Sequence, residues 1–473
     1  MIDEANRLKG SFRDPSGFVF FKDNTLFRSV SHLYRDNYDH LIQSGLYDKL
    51  VGDGLLISHR EATIPVETEK NSYKIIQPEM VPFISYPYEW CFNQLKDAAL
   101  TVIRIQKQAL AYNMSLKDAS AYNIQYFKGK PILIDTLSFE IYKENQPWIA
   151  YRQFCQHFLA PLAMIAYCDA ILSQLMRIFI DGVPLNIASK LLPLTTWLHF
   201  GLLTHIHLHA KSQKRYQAKG TAIANSKINK KSLTALIHHL ESAIDNIRWK
   251  PAGTEWADYY DDTNYTKDDM QHKKRVVGAY INEIKPANVW DLGANTGLFS
   301  RIASDLGIDT IAFDVDTAAV EKNYLQMRKN DEKKILPLCL DLTNPSPAIG
   351  WANEERFSLA ERGPADMVIA LALIHHLAVS NNLPLGHLAD YFSRLCRFLI
   401  IEFVDKKDSQ VQRLLLNRED IFLHYTRQDF ENAFGSYFSI LKSKDIGNTK
   451  RTLYLMKNLG EKYNVSGWSK RHG

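Results

Sequence analysis

The chain has 473 residues, of which 46% are hydrophobic and 23% charged, and a formal net charge of +5. That length exceeds one ordinary domain and predicts two or three, and the composition suits a globular protein with sizeable cores. So small a charge gives no ground for a nucleic-acid partner, and five scattered cysteines (Cys91, Cys155, Cys168, Cys339, Cys396) without a C-x-x-C pair give none for a disulfide framework or a zinc site.

In chain order, Met1 to Arg13 is polar and mixed in charge, without the apolar core of a signal peptide. The scattered, unpaired cysteines make a reducing cytoplasm the expected setting. Gly17 to Phe20 and Leu26 to Arg28 read as a short hairpin. Tyr88 to Asn113 reads as a long helix, with Leu95, Ala98, Val102, Ile105 and Ala109 on one face. Asp118 and Asn123 follow, then the basic turn Lys128-Gly129-Lys130 and a strand from Pro131 to Asp135.

This order of helix, loop and strand resembles the protein-kinase-like fold. There, one carboxylate accepts a hydroxyl proton, while an Asn and a second Asp hold magnesium on nucleotide phosphates. The resemblance implies Asp118 as base, Asn123 and Asp135 as metal ligands, ATP and Mg as cofactors, and Arg28 in place of the phosphate-holding Lys. The chain departs from that pattern in several places. It has no G-x-G-x-x-G loop, Ser115 stands where a His is usual, Lys117 precedes Asp118, and Asp135 continues into Thr-Leu. The alternative is that Asp118 and Asn123 form a loop-stabilising hydrogen-bond pair.

Leu191 to Ala210 contains no Lys, Arg, Asp or Glu. Pro193 and four histidines (His199, His205, His207, His209) argue against a bilayer helix, so a buried helix near a domain interface is expected. His205 and His209 share a helical face, but no third metal ligand is evident. Lys211 to Lys231 holds seven basic residues and no acidic one, and reads as an exposed linker. Leu233 to Ile247 reads as an amphipathic helix.

The C-terminal half carries the strongest signal, Val289-Trp290-Asp291-Leu292-Gly293-Ala294-Asn295-Thr296-Gly297-Leu298-Phe299-Ser300. It reads as a buried strand ending in a carboxylate, a glycine turn and a helix start, an order that brings bare backbone N–H groups toward a nucleotide-like ligand. The spacing is G-x-x-x-G rather than G-x-G-x-x-G, which disfavours a pyrophosphate cofactor. Asp291 sits where its carboxylate meets a positive ligand group. Further strands are expected at Ile308 to Phe313, Ile335 to Leu340, Asp366 to Leu371 and Phe398 to Phe403, with a closing pair at Tyr437 to Leu441 and Arg451 to Met456. Asp314, with Asp316 as a second choice, stands where an acidic residue commonly holds ribose hydroxyls.

Residues 250 to 460 resemble the class I S-adenosylmethionine-dependent methyltransferases. The resemblance implies that Asp291, Gly293 and Gly297 hold the methionine part of S-adenosyl-L-methionine, Asp314 its ribose and Asp341 its adenine. Ala294, Asn295, Leu342 and Ala370 complete the implied cofactor site. No Asn/Asp-Pro-Pro-Tyr/Phe motif follows the fourth strand; His375 and His376 stand there as candidate bases, with Glu402 as a further one. For the histidines, a packing and a solvated role is the alternative. Tyr259, Tyr260 and Tyr265 form either a lid or an interdomain packing strip. Over its whole length the chain also resembles bacterial nodulation-related proteins of methyltransferase type.

The expected organisation is an α+β kinase-like domain (1–210), a basic linker and connecting helix (211–249), and an α/β Rossmann-like, doubly wound methyltransferase domain (250–473). The expected function is methyl transfer to an O or N of a small or carbohydrate-like acceptor, with no membrane partner. The alternatives are a bifunctional kinase-like methyltransferase, or a binding protein with a degenerate methyltransferase fold.

Overall fold

The structure is a computed structural model and describes residues 7–63, 72–212, 228–251, 265–416, 419–447 and 449–460. It divides into two units, one of Met1–Lys250 with the short segment Ile349–Arg356, the other of Pro251–Ala348 with Phe357–Arg471.

In the first unit, β1 (Gly17–Lys22) and β2 (Thr25–Ser31) pair across Asp23-Asn24, with φ of 48° and 58°. A two-residue hairpin loop with positive φ at both positions matches strand twist, and Asp and Asn tolerate it best after glycine. With β3 (His59–Glu61) and β4 (Ser72–Pro78) these strands form an antiparallel sheet in the order β1-β2-β4-β3. Helices Arg35–Gln43 and Leu46–Gly52 lie between β2 and β3 in the chain, and Tyr34, Tyr38 and Leu137 pack with Val30 and Ile76 of the sheet.

The expected long helix runs Phe92–Ala111 and buries Leu95, Ala98, Val102, Ile105 and Ala109. It starts later than the apolar pattern because Cys91 is its N-cap, and its N–H donates to Gln94 at 2.9 Å. β5 (Met114–Leu116) pairs with β8 (Phe139–Ile141), and β6 (Ile124–Phe127) with β7 (Lys130–Leu133). Asp118 and Asn123 lie between β5 and β6, and Asp135 between β7 and β8.

Helix Lys230–Asn246 belongs to this unit and packs along Phe92–Ala111. The buried Lys96 ammonium donates to the carbonyls of Asp245 and Ile247 at 2.9 and 3.0 Å, satisfying acceptors that a helix end leaves open. The expected single buried helix at 191–210 is not found. The segment breaks into a 3-10 turn (Leu194–Leu198), a helical turn (Phe200–Leu202) and a π-helical stretch (Leu203–Leu208). Pro193 removes a helical N–H and holds Leu192 extended, at φ −66° and ψ 137°.

The second unit is built on β9 (Asn288–Leu292), β10 (Asp309–Asp314), β11 (Ile335–Cys339), β12 (Ala365–Ala370), β13 (Cys396–Val404), β14 (Phe438–Asp445) and β15 (Arg451–Asn458). Their order is β11-β10-β9-β12-β13-β15-β14; the first five are parallel and β15 is antiparallel to both its neighbours. Both faces are covered, so the inner strands are apolar without alternation. Val277, Tyr280 and Ile281 of helix Lys267–Ile284 close one face over Val289, Met367, Ile369 and Ile400. On the other, Trp290 meets Phe313 edge-on at 5.8 Å, and helix Thr317–Lys329 buries Val320, Tyr324 and Met327. The order reverses between β9 and β12, and in open parallel sheets ligands lie outside the carboxyl ends at such a reversal.

Candidate active site

The turn after β9 is shaped by its glycines. Gly293 and Gly297 have φ of +78° and +80°, and Asn295 between them has +51°. A Cβ on Gly297 would come within 2.6 Å of the side chains of Asn323 and Arg301, and one on Gly293 within 3.3 Å of Leu373. The expectation of bare N–H groups is corrected here. Gly293 and Ala294 both donate to the Phe313 carbonyl at 2.9 Å, and Gly297 donates to the Ala294 carbonyl. Asn295 N–H donates to Asp314 Oδ2 at 2.7 Å, and Thr296 N–H to the Asn295 side chain. These five donors are thus spent on the end of β10 and within the turn itself, in line with the missing second glycine of the pyrophosphate fingerprint.

Two carboxylates close the adjacent strands β9 and β10. Asp291 is buried and accepts from Ser300 Oγ at 2.6 Å. Burial pushes its carboxyl up to about 7; Ser300 opposes this and Asp314 adds to it. Asp314 accepts the Asn295 and Asp316 N–H groups on its two oxygens, and burial still raises it to about 6. Asp316 instead caps the next helix through the N–H groups of Ala318 and Ala319, and its buried Oδ2 has no partner. Asp341 lies exposed past β11, its Oδ1 held by the N–H and hydroxyl of Thr343, with Leu342 half-buried beside it.

Ala370 ends β12, and Ala372 follows with φ +48°. The Ala372 N–H donates to Glu402 Oε2 at 2.7 Å. Glu402 is fully buried, and both its oxygens are engaged, Oε2 also by Lys273 Nζ at 2.7 Å and Oε1 by the Tyr265 hydroxyl. Burial would raise Glu402, but the Lys273 and Arg451 charges win and hold it below the usual range. Burial pushes the Lys273 ammonium down. Arg451 donates to Asp408 at 2.8 and 3.2 Å and to the Tyr265 hydroxyl at 3.0 Å. Tyr265 is thus anchored in a buried charge network, whereas Tyr259 and Tyr260 lie outside the described residues.

His375 and His376 sit where the chain turns into a π-helical stretch, their rings 4.1 Å apart. His375 is buried, and its Nδ1 has no partner. Burial, then His376, Arg451 and Lys273, push it well below the ordinary histidine value; burial likewise takes His376 down to about 4. Both rings are neutral near pH 7.

In the first unit the structure gathers Asp118, Asn123 and Asp135. Asp118 accepts from Ser120 N–H at 2.9 Å and Gln153 at 2.8 Å; burial raises it and the nearby Asp135 adds to the shift. Asn123 donates to Ser138 Oγ at 3.4 Å, and that hydroxyl donates to Asp135 Oδ2 at 2.9 Å. Arg28 pairs with Asp135 Oδ1 at 2.7 Å, and the Leu137 N–H reaches the same oxygen at 2.8 Å. With Asp135 so occupied, the arrangement does not fit a divalent cation, and no group of three or more His, Cys, Asp or Glu able to hold a metal occurs among the described residues. His205 shares hydrogen bonds with His239 at 2.7 Å and with the Tyr151 hydroxyl at 2.7 Å.

Lys273, Arg451, Asp408 and Ser300 had no assigned role from sequence. One signal was present: Lys273 falls on the apolar stripe of Val277, Tyr280, Ile281 and Ile284, where a lysine needs a buried partner.

No family model matches the chain. The solved structures most like it include magnesium protoporphyrin IX methyltransferase from Synechocystis PCC 6803 (17% identity, 42% of this chain and 90% of that one, TM-score 0.31). Another is WbdD (17% identity, 41% of each chain, TM-score 0.29). Nodulation protein NoeA of Rhizobium meliloti (strain 1021) is 34% identical over 456 residues, 95% of this chain and 95% of the relative. At that identity over nearly the whole of both chains, this protein belongs to the family of nodulation protein NoeA.

Proposed function

We propose that the second unit is an S-adenosylmethionine-dependent methyltransferase acting on an O or N of a small or carbohydrate-like acceptor. The observation that carries this reading is the pairing of two buried carboxylates, Asp291 and Asp314, at adjacent strand ends, joined through the glycine turn. The fit is chemical. Burial raises this carboxyl to about 7 although the Lys273 charge acts against the rise, and a ligand with an ammonium and a sulfonium would supply further positive charge. Asp314 accepts backbone N–H groups on both oxygens, and a carboxylate's further lone pairs suit ribose hydroxyls. Asp341 is the weakest of the three positions, because Thr343 already engages it. Ala294, Asn295, Leu342 and Ala370 line the same strand ends.

When bound, the cofactor contributes an electrophilic methyl group. The chain's part is to align the acceptor and to exclude water. The neutral His375 Nδ1, buried without a partner, supports reading this ring as the group that accepts a hydrogen bond or proton from the acceptor. His376 is the second candidate. Glu402 fits the base role less well, since Lys273, Tyr265 and Ala372 hold it.

A second reading, a kinase-like first unit with ATP and Mg, draws support from the convergence of Asp118, Asn123 and Asp135 around Ser138 and from the order of elements. The Arg28–Asp135 pair counts against it, because a cation would have to displace Arg28.

The test is calorimetric titration with S-adenosylmethionine, repeated on Asp291→Ala. Micromolar binding that the substitution removes is expected. A folded wild-type protein without affinity would remove the methyltransferase reading.

A further inference from the structure

Four charges are buried together in the second unit. Glu402 and Arg451 stand on the paired strands β13 and β15, Lys273 on helix Lys267–Ile284 and Asp408 at the start of helix Ser409–Leu415. They are 0%, 2%, 2% and 7% exposed. The Tyr265 phenol joins them: it accepts from Lys273 Nζ and Arg451 Nη1, each at 3.0 Å, and donates to Glu402 Oε1. Taking four charges from water is costly, and well-packed apolar side chains in their place would serve stability as well or better. A fully bonded polar network gives what apolar packing does not, a fixed direction for each atom it touches.

Two of its bonds go to backbone N–H groups, and they grip the histidine-bearing stretch from both sides. Glu402 Oε2, held by Lys273 at 2.7 Å, takes the Ala372 N–H at 2.7 Å, just before the histidines. Asp408, held by Arg451, takes the Gln410 N–H at 2.9 Å, and the helix it caps packs on His376–Ser380. Ala372 has φ +48°, a conformation that a residue with a Cβ keeps only when its surroundings hold it. The Leu373 side chain lies against Gly293, where a Cβ would come within 3.3 Å of it. The Leu373 carbonyl accepts the N–H groups of His376 and Leu377 at 3.0 and 3.3 Å. One fixed amide thus sets both the side chain that covers the glycine turn and the turn that carries the histidines. The Lys273 charge also acts on Asp291 and, with Arg451, on His375.

We propose that Glu402 is a positioning residue of the methyl-transfer site, a role that rests on the methyltransferase reading. Oriented by Lys273 and Tyr265, its carboxylate holds the Ala372 amide and so fixes Leu373 to His376 against the cofactor turn. It acts through the backbone and takes no proton from the acceptor.

The experiment compares wild type with Lys273→Met/Glu402→Leu and Lys273→Met/Glu402→Gln. Both double variants remove the charged pair together, so neither leaves one of its charges uncompensated. They differ in whether an oxygen remains for the Ala372 N–H. The readouts are the thermal transition, hydrogen–deuterium exchange over residues 371–380, and calorimetric titration with S-adenosylmethionine. The leucine variant is expected to exchange faster over 371–380 and to bind S-adenosylmethionine roughly tenfold or more weakly, at a thermal transition close to that of the glutamine variant. The glutamine variant should recover most of the affinity and the protection. Equal affinity and exchange in the two double variants would overturn the proposal, because the oxygen at Ala372 would then not matter. A lower transition in the leucine variant, with exchange raised across the whole sheet, would overturn it too and leave Glu402 a merely structural part. Wild type without affinity would remove the methyltransferase reading and this role with it, whereas affinity that wild type and both variants share would sink the role alone.

Discussion

Asp291 is ionised only at a cost, because its burial withdraws the water that would stabilise its charge. Its folded value of about 7 lies above the ordinary 3.8, so the native protein holds more protons than the unfolded chain between those pH values. Stability from this group therefore falls as pH rises through that window, by an amount on the order of a few kcal/mol. Asp291→Asn should accordingly stabilise the ligand-free protein at pH 8 and leave it little changed at pH 4, as urea unfolding midpoints would report. Cofactor binding should show the opposite face of the same fact. A cationic ligand favours the carboxylate, so affinity should weaken by up to roughly tenfold per unit as pH drops below 7. A calorimetric affinity that is flat from pH 6 to 8 would remove Asp291 from contact with a cation. Gly297 was legible for the same local reason that makes it intolerant: φ is +80°, and a side chain there meets Asn323. Gly297→Ala should cost about 1–3 kcal/mol, measured by the same unfolding.

At the scale of elements, the network behind β12 and β13 shows what the sequence conceals. The strands of the second unit were readable because buried parallel strands are short apolar runs ending at turn residues: Ile335 to Leu340 was expected and Ile335–Cys339 is found. Asp291, Gly293, Gly297 and Asp314 were readable from spacing, since strand, turn and strand fix their places. Lys273 and Glu402 were not, because 129 positions separate them and only the packed sheet joins them. The Leu191–Ala210 segment misled for another reason. Its lack of charge predicts burial, but Pro193 breaks it, and Leu194 and Leu198 lie outside while Leu192 and Leu202 are buried. The Lys273–Glu402 pair, 3% and 0% exposed, holds Ala372 in its left-handed conformation through a single N–H. Lys273→Met would leave a buried carboxylate without its partner, a loss of roughly 3–5 kcal/mol. Adding Glu402→Gln should recover most of that loss, because no uncompensated charge then remains. Equal melting temperatures for the single and double variants would show that the pair does not act as a unit.

Across the whole molecule, two constellations of carboxylates stand on separate units, and their electrostatics differ. In the second unit the strand-end carboxylates are raised by burial and lack a full counter-charge; in the first, Asp135 already has Arg28 at 2.7 Å. A site short of positive charge gains by taking up a cationic ligand. A site already paired must first break a largely buried ion pair, and its affinity for a magnesium nucleotide falls by that cost. The two units should therefore respond unequally to their implied ligands. S-adenosylmethionine at about 100 times its Kd should stabilise the unfolding transition of the second unit by about 2.7 kcal/mol, and Asp291→Ala should abolish the shift. ATP with magnesium should leave wild-type transitions nearly unmoved, and Asp118→Asn should leave methyl transfer intact. Scanning calorimetry of wild type, Asp291→Ala and Asp135→Ala with each ligand reads all of these together. A magnesium-dependent ATP shift in wild type that vanishes in Asp135→Ala would reverse the order of the two readings. Arg28 would then be a residue that yields to the nucleotide, and the chain would be a two-activity protein.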